Sequence, residues 1–267
     1  MKETYLRYYE KFSSLGPLIF MKDAFFTRHK LRQLALLNRQ KDYAALANQS
    51  DLFRLHESLN KILLSQQVNW PHYDYGEGYF YQGLKRAGIT GFRNTESRFD
   101  QMQLHKYLQG KKAFDIGCNS GFLTLLMAES AQSIVGIDIN PYLIEMAQTT
   151  ADFFQLKNIQ FSVLSFENYQ PVPEYDVVLS FANHSTFDKN TKQDLESYFK
   201  KCQTLVGLNG ILLFESHPPQ LENAEALEKT ISVIEKYFKI LERRELTGGF
   251  LDANRTFVVA QSVRGIN

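Results

Sequence analysis

The sequence predicts an α/β protein built on a doubly wound, mostly parallel sheet. Three observations carry that prediction. Strand-like and helix-like patterns alternate from Lys111 to the end of the chain. A glycine-containing loop follows the first strand-like run. The last two strand-like runs are joined by a short connection containing Thr247-Gly248-Gly249, which suits an antiparallel hairpin.

The elements follow in order. Lys112–Ile116 reads as a strand and Gly121–Glu129 as a helix. Ser133–Asp138 reads as a strand. A helix then runs from Pro141, a favourable first helical position, to about Phe154. Ile159–Leu164 and Tyr175–Phe181 read as strands, Thr191–Leu205 as a helix and Gly210–Glu215 as a strand. Asn223–Tyr237 reads as a helix, with Phe238–Leu246 and Arg255–Ser262 as the closing strands. Ahead of this alternation the pattern is helical. Leu31, Leu34, Ala35 and Leu37 recur at helical spacing, and so do Leu52, Leu55, Leu59, Ile62 and Leu63. Ser50 stands between the two stretches as a candidate N-cap. The following run, Trp70 to Tyr81, has a proline and glycines that break helix and an unusual density of aromatic side chains.

Composition narrows the class. The 267 residues suit one α/β core with an extension, and 44% hydrophobic with 22% charged residues is globular rather than disordered. No apolar run approaches the roughly 20 residues of a bilayer-spanning helix. The two cysteines, Cys118 and Cys202, lack metal-ligand spacing, so no metal is expected. With no apolar leader-like run near Met1, a cytoplasmic enzyme is the expectation. The net charge of +1 conceals an asymmetry: a balance of +8 over residues 1–114 and −7 over 115–267. A basic region ahead of an acidic one either attracts anionic substrates or pairs internally.

The chemistry concentrates in the loop Asp115-Ile116-Gly117-Cys118-Asn119-Ser120-Gly121-Phe122. In an open parallel sheet, ligands bind at the carboxyl ends of strands, where a glycine turn lets them approach the backbone. A dinucleotide loop needs G-x-G-x-x-G to seat a pyrophosphate, but Asn119 stands at the second glycine position and the third is missing. This disfavours NAD. Asp138 ends the second strand about 20 residues after the glycine loop, where an acid can accept hydrogen bonds from both ribose hydroxyls.

The ordered set resembles the class I S-adenosylmethionine-dependent methyltransferase family. Ala113–Ala128 (AFDIGCNSGFLTLLMA) is similar to its first motif and Val135–Asn140 (VGIDIN) to its second. Tyr175–Phe181 (YDVVLSF) is similar to its fourth, and Gly207–Phe214 (GLNGILLF) to its entry into the fifth strand. The resemblance implies a Rossmann-like, seven-stranded doubly wound sheet with a reversed final strand. That domain would occupy residues 101–267, after a mainly helical extension over 1–100 that caps the substrate side. It implies S-adenosyl-L-methionine as cofactor. Asp115 and Gly117 would face its methionine end, with Cys118, Asn119, Gly121 and Phe122 forming the loop. Asp138 would hold the ribose, Ile139 would pack on the adenine, and Ser165 and Phe166 would meet the adenine edge. Ser180 on the fourth strand completes the set. Asn119 replaces a common glycine and Ser165 a common aspartate.

The lead-in Gly88–Phe99 (GITGFRNTESRF), taken with the loop, is similar to members that modify the tRNA wobble uridine or polysaccharides. In such proteins an arginine here approaches the cofactor carboxylate, which makes Arg98 the candidate and Arg93 the alternative; a guanidinium grips a carboxylate bidentately. The competing expectation for Arg98 is an ion pair with Glu96, Asp100 or another acid. Residues Tyr73–Tyr81 suit either a lid over the substrate or packing against the main domain.

Methyl transfer is an in-line displacement with a neutral leaving sulfide, so holding the acceptor close and in line supplies much of the catalysis. A hydroxyl or amine acceptor can also need a base. His184, after the fourth strand, is the candidate catalytic base, with Glu215 and His217 after the fifth strand as alternatives. The acceptor is unidentified: a small molecule, a saccharide or RNA. The rival readings are transfer of a carboxymethyl or other modified group to tRNA, and a non-catalytic nucleoside-binding scaffold.

Overall fold

The structure, a computed structural model, describes residues 17–72, 74–170, 175–185, 192–247 and 254–263, with only the backbone for 17–28. Tyr73, Thr191 and the Gly248-Gly249 pair lie outside the described residues. Two helices open the chain, α1 (Pro17–Leu46) and α2 (Ser50–Asn69), followed by a single 3₁₀ turn at Lys85–Ala87 and the short helices α3 (Thr95–Gln101) and α4 (Leu104–Leu108). The alternating part comprises β1 (Lys112–Ile116), α5 (Phe122–Ala128), β2 (Ser133–Asp138), α6 (Pro141–Phe153), β3 (Ile159–Val163), β4 (Tyr175–Phe181), α7 (Leu195–Leu205), β5 (Val206–Glu215), α8 (Ala224–Glu235), β6 (Phe238–Leu246) and β7 (Arg255–Ser262).

The seven strands form one sheet in the order β3-β2-β1-β4-β5-β7-β6. β1 to β5 pair in parallel, and β7 runs antiparallel to both β5 and β6. The predicted fold and its reversed final strand are therefore present. The order reverses at β1, with β2 on one side and β4 on the other, so their carboxyl ends frame a crevice.

Local chemistry accounts for several element ends. Asn140 caps α6, its side chain accepting from the Tyr142 and Leu143 N–H groups, and Pro141 opens the helix without wasting a donor. Ser50 is not the cap of α2: the capping position is Gln49, which makes no side-chain capping bond, and Ser50 is the first helical residue. α7 begins at Leu195, later than the sequence pattern suggested, because Asp194 caps it by accepting from Ser197 N–H at 2.9 Å. β5 begins earlier than expected, at Val206; its ladder with β4 shifts register between Tyr175 and Val177, and Asn209 adopts a φ of +61° there.

The helical extension does not stand apart. Leu55, Leu59, Leu63, Tyr79, Phe80 and Leu84 share one hydrophobic cluster with Cys118, Phe122, Leu125, Ile144, Met146 and Phe161. Phe80 and Phe122 are both buried, with ring centroids 6.1 Å apart. Burial of this kind stabilises by about 1.5–3 kcal/mol per large side chain. Part of the charge asymmetry is resolved the same way, because Arg86 pairs with Glu129 at 2.6 Å, and Arg93 and Arg98 pair with Glu215.

One glycine ties α5 to the sheet side. Gly121 precedes the helix with φ +70°, and a Cβ there would lie 2.6 Å from the Ala147 Cβ and 2.8 Å from the Phe161 ring. Gly121→Ala should therefore destabilise the fold by about 2–4 kcal/mol, combining left-handed strain with overpacking. Urea unfolding checks this, and an unchanged midpoint would contradict it.

Candidate cofactor and transfer site

The loop after β1 bends over the end of the sheet. Gly117 has φ +66° and is exposed, so a ligand can reach its backbone. A Cβ there would stand 2.9 Å from the Asn183 amide nitrogen. Asn183, in the loop after β4, also donates to the Ile116 carbonyl, so the β1 and β4 loops are laced together at this point. Cys118 points into the core, its N–H donating to Ile137 O at 2.9 Å, and burial pushes its thiol up out of the reactive range. Asn119 takes a left-handed conformation (φ +57°), which asparagine tolerates better than most residues.

That conformation turns the Asn119 N–H onto Asp138 Oδ2 at 3.0 Å, and Asn140 N–H reaches Oδ1 at 2.9 Å. Two backbone donors thus hold the half-buried Asp138 carboxylate at the end of β2. Ile139 beside it is half-buried. Asp115 is buried and accepts from Thr124 Oγ1 at 2.7 Å; burial pushes its carboxyl up to about 7, against the pull of Thr124 and Arg98.

The remaining expected contacts have structural partners of their own. Ser165 accepts from Asn168 N–H and caps a 3₁₀ turn. The Phe166 ring packs edge-on against Tyr198, 5.0 Å away, with the Lys201 ammonium 5.1 Å from its centre. Ser180 is fully buried, and its hydroxyl bonds to Asn183 Oδ1 and Tyr198 OH, both at 2.9 Å. Ser180 thereby anchors Asn183 in the loop.

Arg98 lies on α3 and meets an acid distant in sequence. It donates to Glu215 Oε2, Arg93 donates to Glu215 Oε1 at 3.0 Å, and the Arg255 Nε stands 3.9 Å from the same oxygen. All four side chains are at least 95% buried. Despite its own burial, the three guanidiniums lower the Glu215 carboxyl to about 2. Glu215 is therefore corrected from candidate base to buried counter-ion, since a carboxylate held so firmly ionised accepts protons poorly. The Arg98 charge also reaches Asp115, whose carboxyl it pulls down against the effect of burial.

Gln82 has no sequence signal that marks it. Its side-chain oxygen accepts from Phe122 N–H at 3.0 Å and from Leu123 N–H and Ser120 Oγ, each at 3.4 Å. The first turn of α5 is thus capped by the extension, and the donors a pyrophosphate would use are already taken. The aromatic run divides its roles: Tyr79 and Phe80 are core, while Tyr75 and Tyr81 line a cleft against Asn119, Ser120 and Asn140.

His184 is 98% buried in the loop after β4. Its Nε2 lies 3.1 Å from Glu222 Oε1, and its ring is 5.1 Å from that of Phe214 and 4.9 Å from that of His217. His217 Nε2 lies 2.6 Å from Ser185 O, so that nitrogen carries the proton. Burial, and then the neighbouring His184, lower His217 to about 4. His217 thus ties the β4 and β5 loops together.

Glu215→Gln removes the carboxylate on which three buried guanidiniums converge, and should cost about 3–5 kcal/mol. Its pKa falls from 4.5 to about 2 on folding, so its stabilising effect is present above about pH 4.5 and lost as pH falls through about 2. Stability measured across that range should fall less steeply in Glu215→Gln than in the wild type; equal slopes would contradict it. Gln82→Ala should cost about 1–3 kcal/mol, because buried N–H groups lose their acceptor. Native-state hydrogen exchange should show faster exchange at Phe122 and Leu123.

Comparison with known proteins agrees with this geometry. Residues 108–247, just over half of the chain, match the family described as "Methyltransferase domain". The ubiquinone biosynthesis O-methyltransferase of Acinetobacter baylyi is 30% identical over 113 residues, 41% of this chain and 44% of that protein. The malonyl-[acyl-carrier protein] O-methyltransferase of Acetivibrio thermocellus is 32% identical over 104 residues, 38% of this chain and 34% of that one. The matches thus span less than half the length of these relatives. The crystal structure of the N-methyltransferase NodS from Bradyrhizobium japonicum superposes with a TM-score of 0.51 at 15% identity, covering 63% of this chain and 97% of that one. This last likeness concerns the fold alone. With the glycine loop, the acid ending β2 and the reversed β7 in place, the chain belongs to the methyltransferase domain family, in its class I, S-adenosylmethionine-dependent form.

Proposed function

We propose that the chain transfers a methyl group from S-adenosylmethionine to a hydroxyl oxygen of a small-molecule acceptor. The observation that carries the oxygen assignment is His184: an imidazole in the loop after β4, next in sequence to the Asn183 that meets Gly117, with its Nε2 3.1 Å from the Glu222 carboxylate. A hydroxyl must lose its proton as it attacks, and an imidazole nitrogen without a proton can accept it. The matched relatives that carry the name O-methyltransferase support the same reading. A solved structure of NodS with S-adenosyl-L-homocysteine shows that this fold accommodates the demethylated cofactor.

The residues present suit the cofactor. Asp138, oriented by two backbone N–H groups, can accept both ribose hydroxyls. The exposed, left-handed Gly117 is the proposed neighbour of the methionine end. Arg98, whose charge reaches Asp115, is the proposed contact for the cofactor's carboxylate, and Asp115 suits its ammonium. Ile139 suits the adenine face. When bound, the cofactor supplies an electrophilic methyl group on a sulfonium. The chain's own part is to align the acceptor, exclude water and receive the proton.

One observation favours a second reading, transfer of a carboxymethyl group. A carboxylated cofactor needs an additional cation, and three guanidiniums, Arg93, Arg98 and Arg255, gather at Glu215. RNA as acceptor draws only on the basic balance of residues 1–114, part of which is paired internally.

Asp138→Ala should weaken S-adenosylmethionine binding by about 10–100-fold in calorimetry, for two lost hydrogen bonds to a charged acceptor. Unchanged affinity would remove the ribose assignment. With methyl-labelled cofactor and a panel of phenols, saccharides and RNA, label should enter a hydroxyl of a small molecule. His184→Asn should then lower turnover by about 10²–10⁴-fold with cofactor affinity intact. Label on nitrogen or in RNA would overturn the oxygen reading, and a mass gain of carboxymethyl would select the second.

A further inference from the structure

We infer that Tyr81 sets the site's preference for the charged cofactor: its ring is the wall against which the sulfonium lies, so the chain favours S-adenosylmethionine over the uncharged S-adenosyl-L-homocysteine. The inference rests on the cofactor placement proposed above, with the ribose at Asp138 and the carboxylate toward Arg98.

The chain on either side of Tyr81 is committed to α5. Phe80 packs in the cluster that holds Phe122, and Gln82 accepts from the Phe122 N–H. The Tyr81 carbonyl is fixed as well, accepting from Arg93 N–H at 2.9 Å and from Phe92 N–H at 3.2 Å. Phe80 and Gln82 are buried, whereas Tyr81 between them is half-buried. It lines the cleft that Asn119, Ser120 and Asn140 border from the other side.

Tyr81 also reaches the arginine cluster. The Arg93 guanidinium carbon lies 5.8 Å from the centre of its ring, and Arg255 is within its electrostatic reach. Asn119 and Asn140 are the residues whose N–H groups hold Asp138, and Arg93 shares Glu215 with Arg98. One tyrosine thus adjoins the surroundings of both proposed anchors. In S-adenosylmethionine the sulfur joins the ribose to the amino-acid chain. A molecule held at both ends therefore carries its sulfonium past this ring. Tyr75, ring to ring 6.0 Å from Tyr81, lines the same cleft and extends the aromatic wall.

A sulfonium has no N–H or O–H to donate, so a hydrogen-bond acceptor cannot recognise it as it would an ammonium. The electron-rich face of an aromatic ring attracts such a cation, and is nearly indifferent to the neutral thioether left after transfer. The charge disappears as the methyl departs. The contact therefore strengthens cofactor binding rather than the chemical step, and it favours exchange of spent product for a fresh molecule.

Calorimetry on the full-length chain, with each of the two molecules in turn, tests this without an acceptor. Tyr81→Leu should weaken S-adenosylmethionine by about 3–30-fold more than S-adenosyl-L-homocysteine, the range expected for a cation on an aromatic face. Tyr81→Phe keeps the ring and should keep the preference. If Tyr81→Leu fails to fold, progressive fluorination of the ring in Tyr81→Phe drains electron density from its face while nearly preserving its shape. Affinity for S-adenosylmethionine should then fall with each added fluorine, while that for S-adenosyl-L-homocysteine stays level. An equal loss of both molecules in Tyr81→Leu, or a flat response across the fluorinated series, would overturn the inference. The placement fails differently. Both molecules share the ribose, so unchanged affinity for both in Asp138→Ala would overturn the placement, and the selectivity ratio of the Tyr81 variants reads the ring contact independently of it.

Discussion

The interaction on which the rest of the structure depends is the meeting of Arg93, Arg98 and Arg255 at Glu215. Glu215 ends β5, Arg255 begins β7, and the other two arginines belong to the segment that leads into β1. A single carboxylate thus joins the lead-in, the fifth strand and the reversed strand at the sheet's ligand-binding end. An isolated carboxylate could not remain ionised at such burial; three cations make it inevitable. The reverse also holds, because the guanidiniums cannot shed their charge and need an anion. The cluster therefore fixes where the lead-in crosses the sheet. That crossing sets the wall of the crevice in which Asp115 and Gly117 lie.

The extension is better understood as part of the domain than as a lid laid upon it. Gln82 supplies the acceptor that α5 lacks, and Phe80 fills the cluster around Phe122. The family match begins only at residue 108. The stretch before it nonetheless supplies a helix cap, core side chains and two of the three arginines. The connections after β4 and β5 carry His184, His217 and Glu222. Those loops are held to one another by the His217–Ser185 and His184–Glu222 contacts.

Much of the sheet was legible in the sequence. β1, β2, β4, β6 and β7 begin and end where Val-, Ile- and Phe-rich runs meet turn residues. The start of β5 was not, because Gly207-Leu208-Asn209-Gly210 reads as a turn and the ladder carries it through an irregular register instead. The places of Asp115, Gly117 and Asp138 at the ends of β1 and β2 were readable because strand ends and a glycine turn mark them in the sequence. Gln82 and Glu222 were not. Each acts on a partner 38–41 residues away, through side-chain geometry that no local pattern encodes. Arg98 was singled out for the cofactor carboxylate, with an ion pair to an acid as the competing expectation; the structure pairs it with Glu215, 117 positions further on. Tertiary packing placed that acid there, beyond the reach of any motif.

The separation of those charges along the chain has a consequence for how the protein is made. Arg93 and Arg98 precede Glu215 by 122 and 117 residues. At synthesis rates of about 5–20 residues per second, roughly 6–24 s pass between their appearance and that of their counter-ion. During that interval the two cations have to remain hydrated at the surface of the nascent chain. The lead-in therefore cannot take its final buried path until β5 has been made, nor can the cluster close until Arg255 follows. Early strands can pair as they emerge, but the crevice is assembled last, from the outermost pieces of the fold.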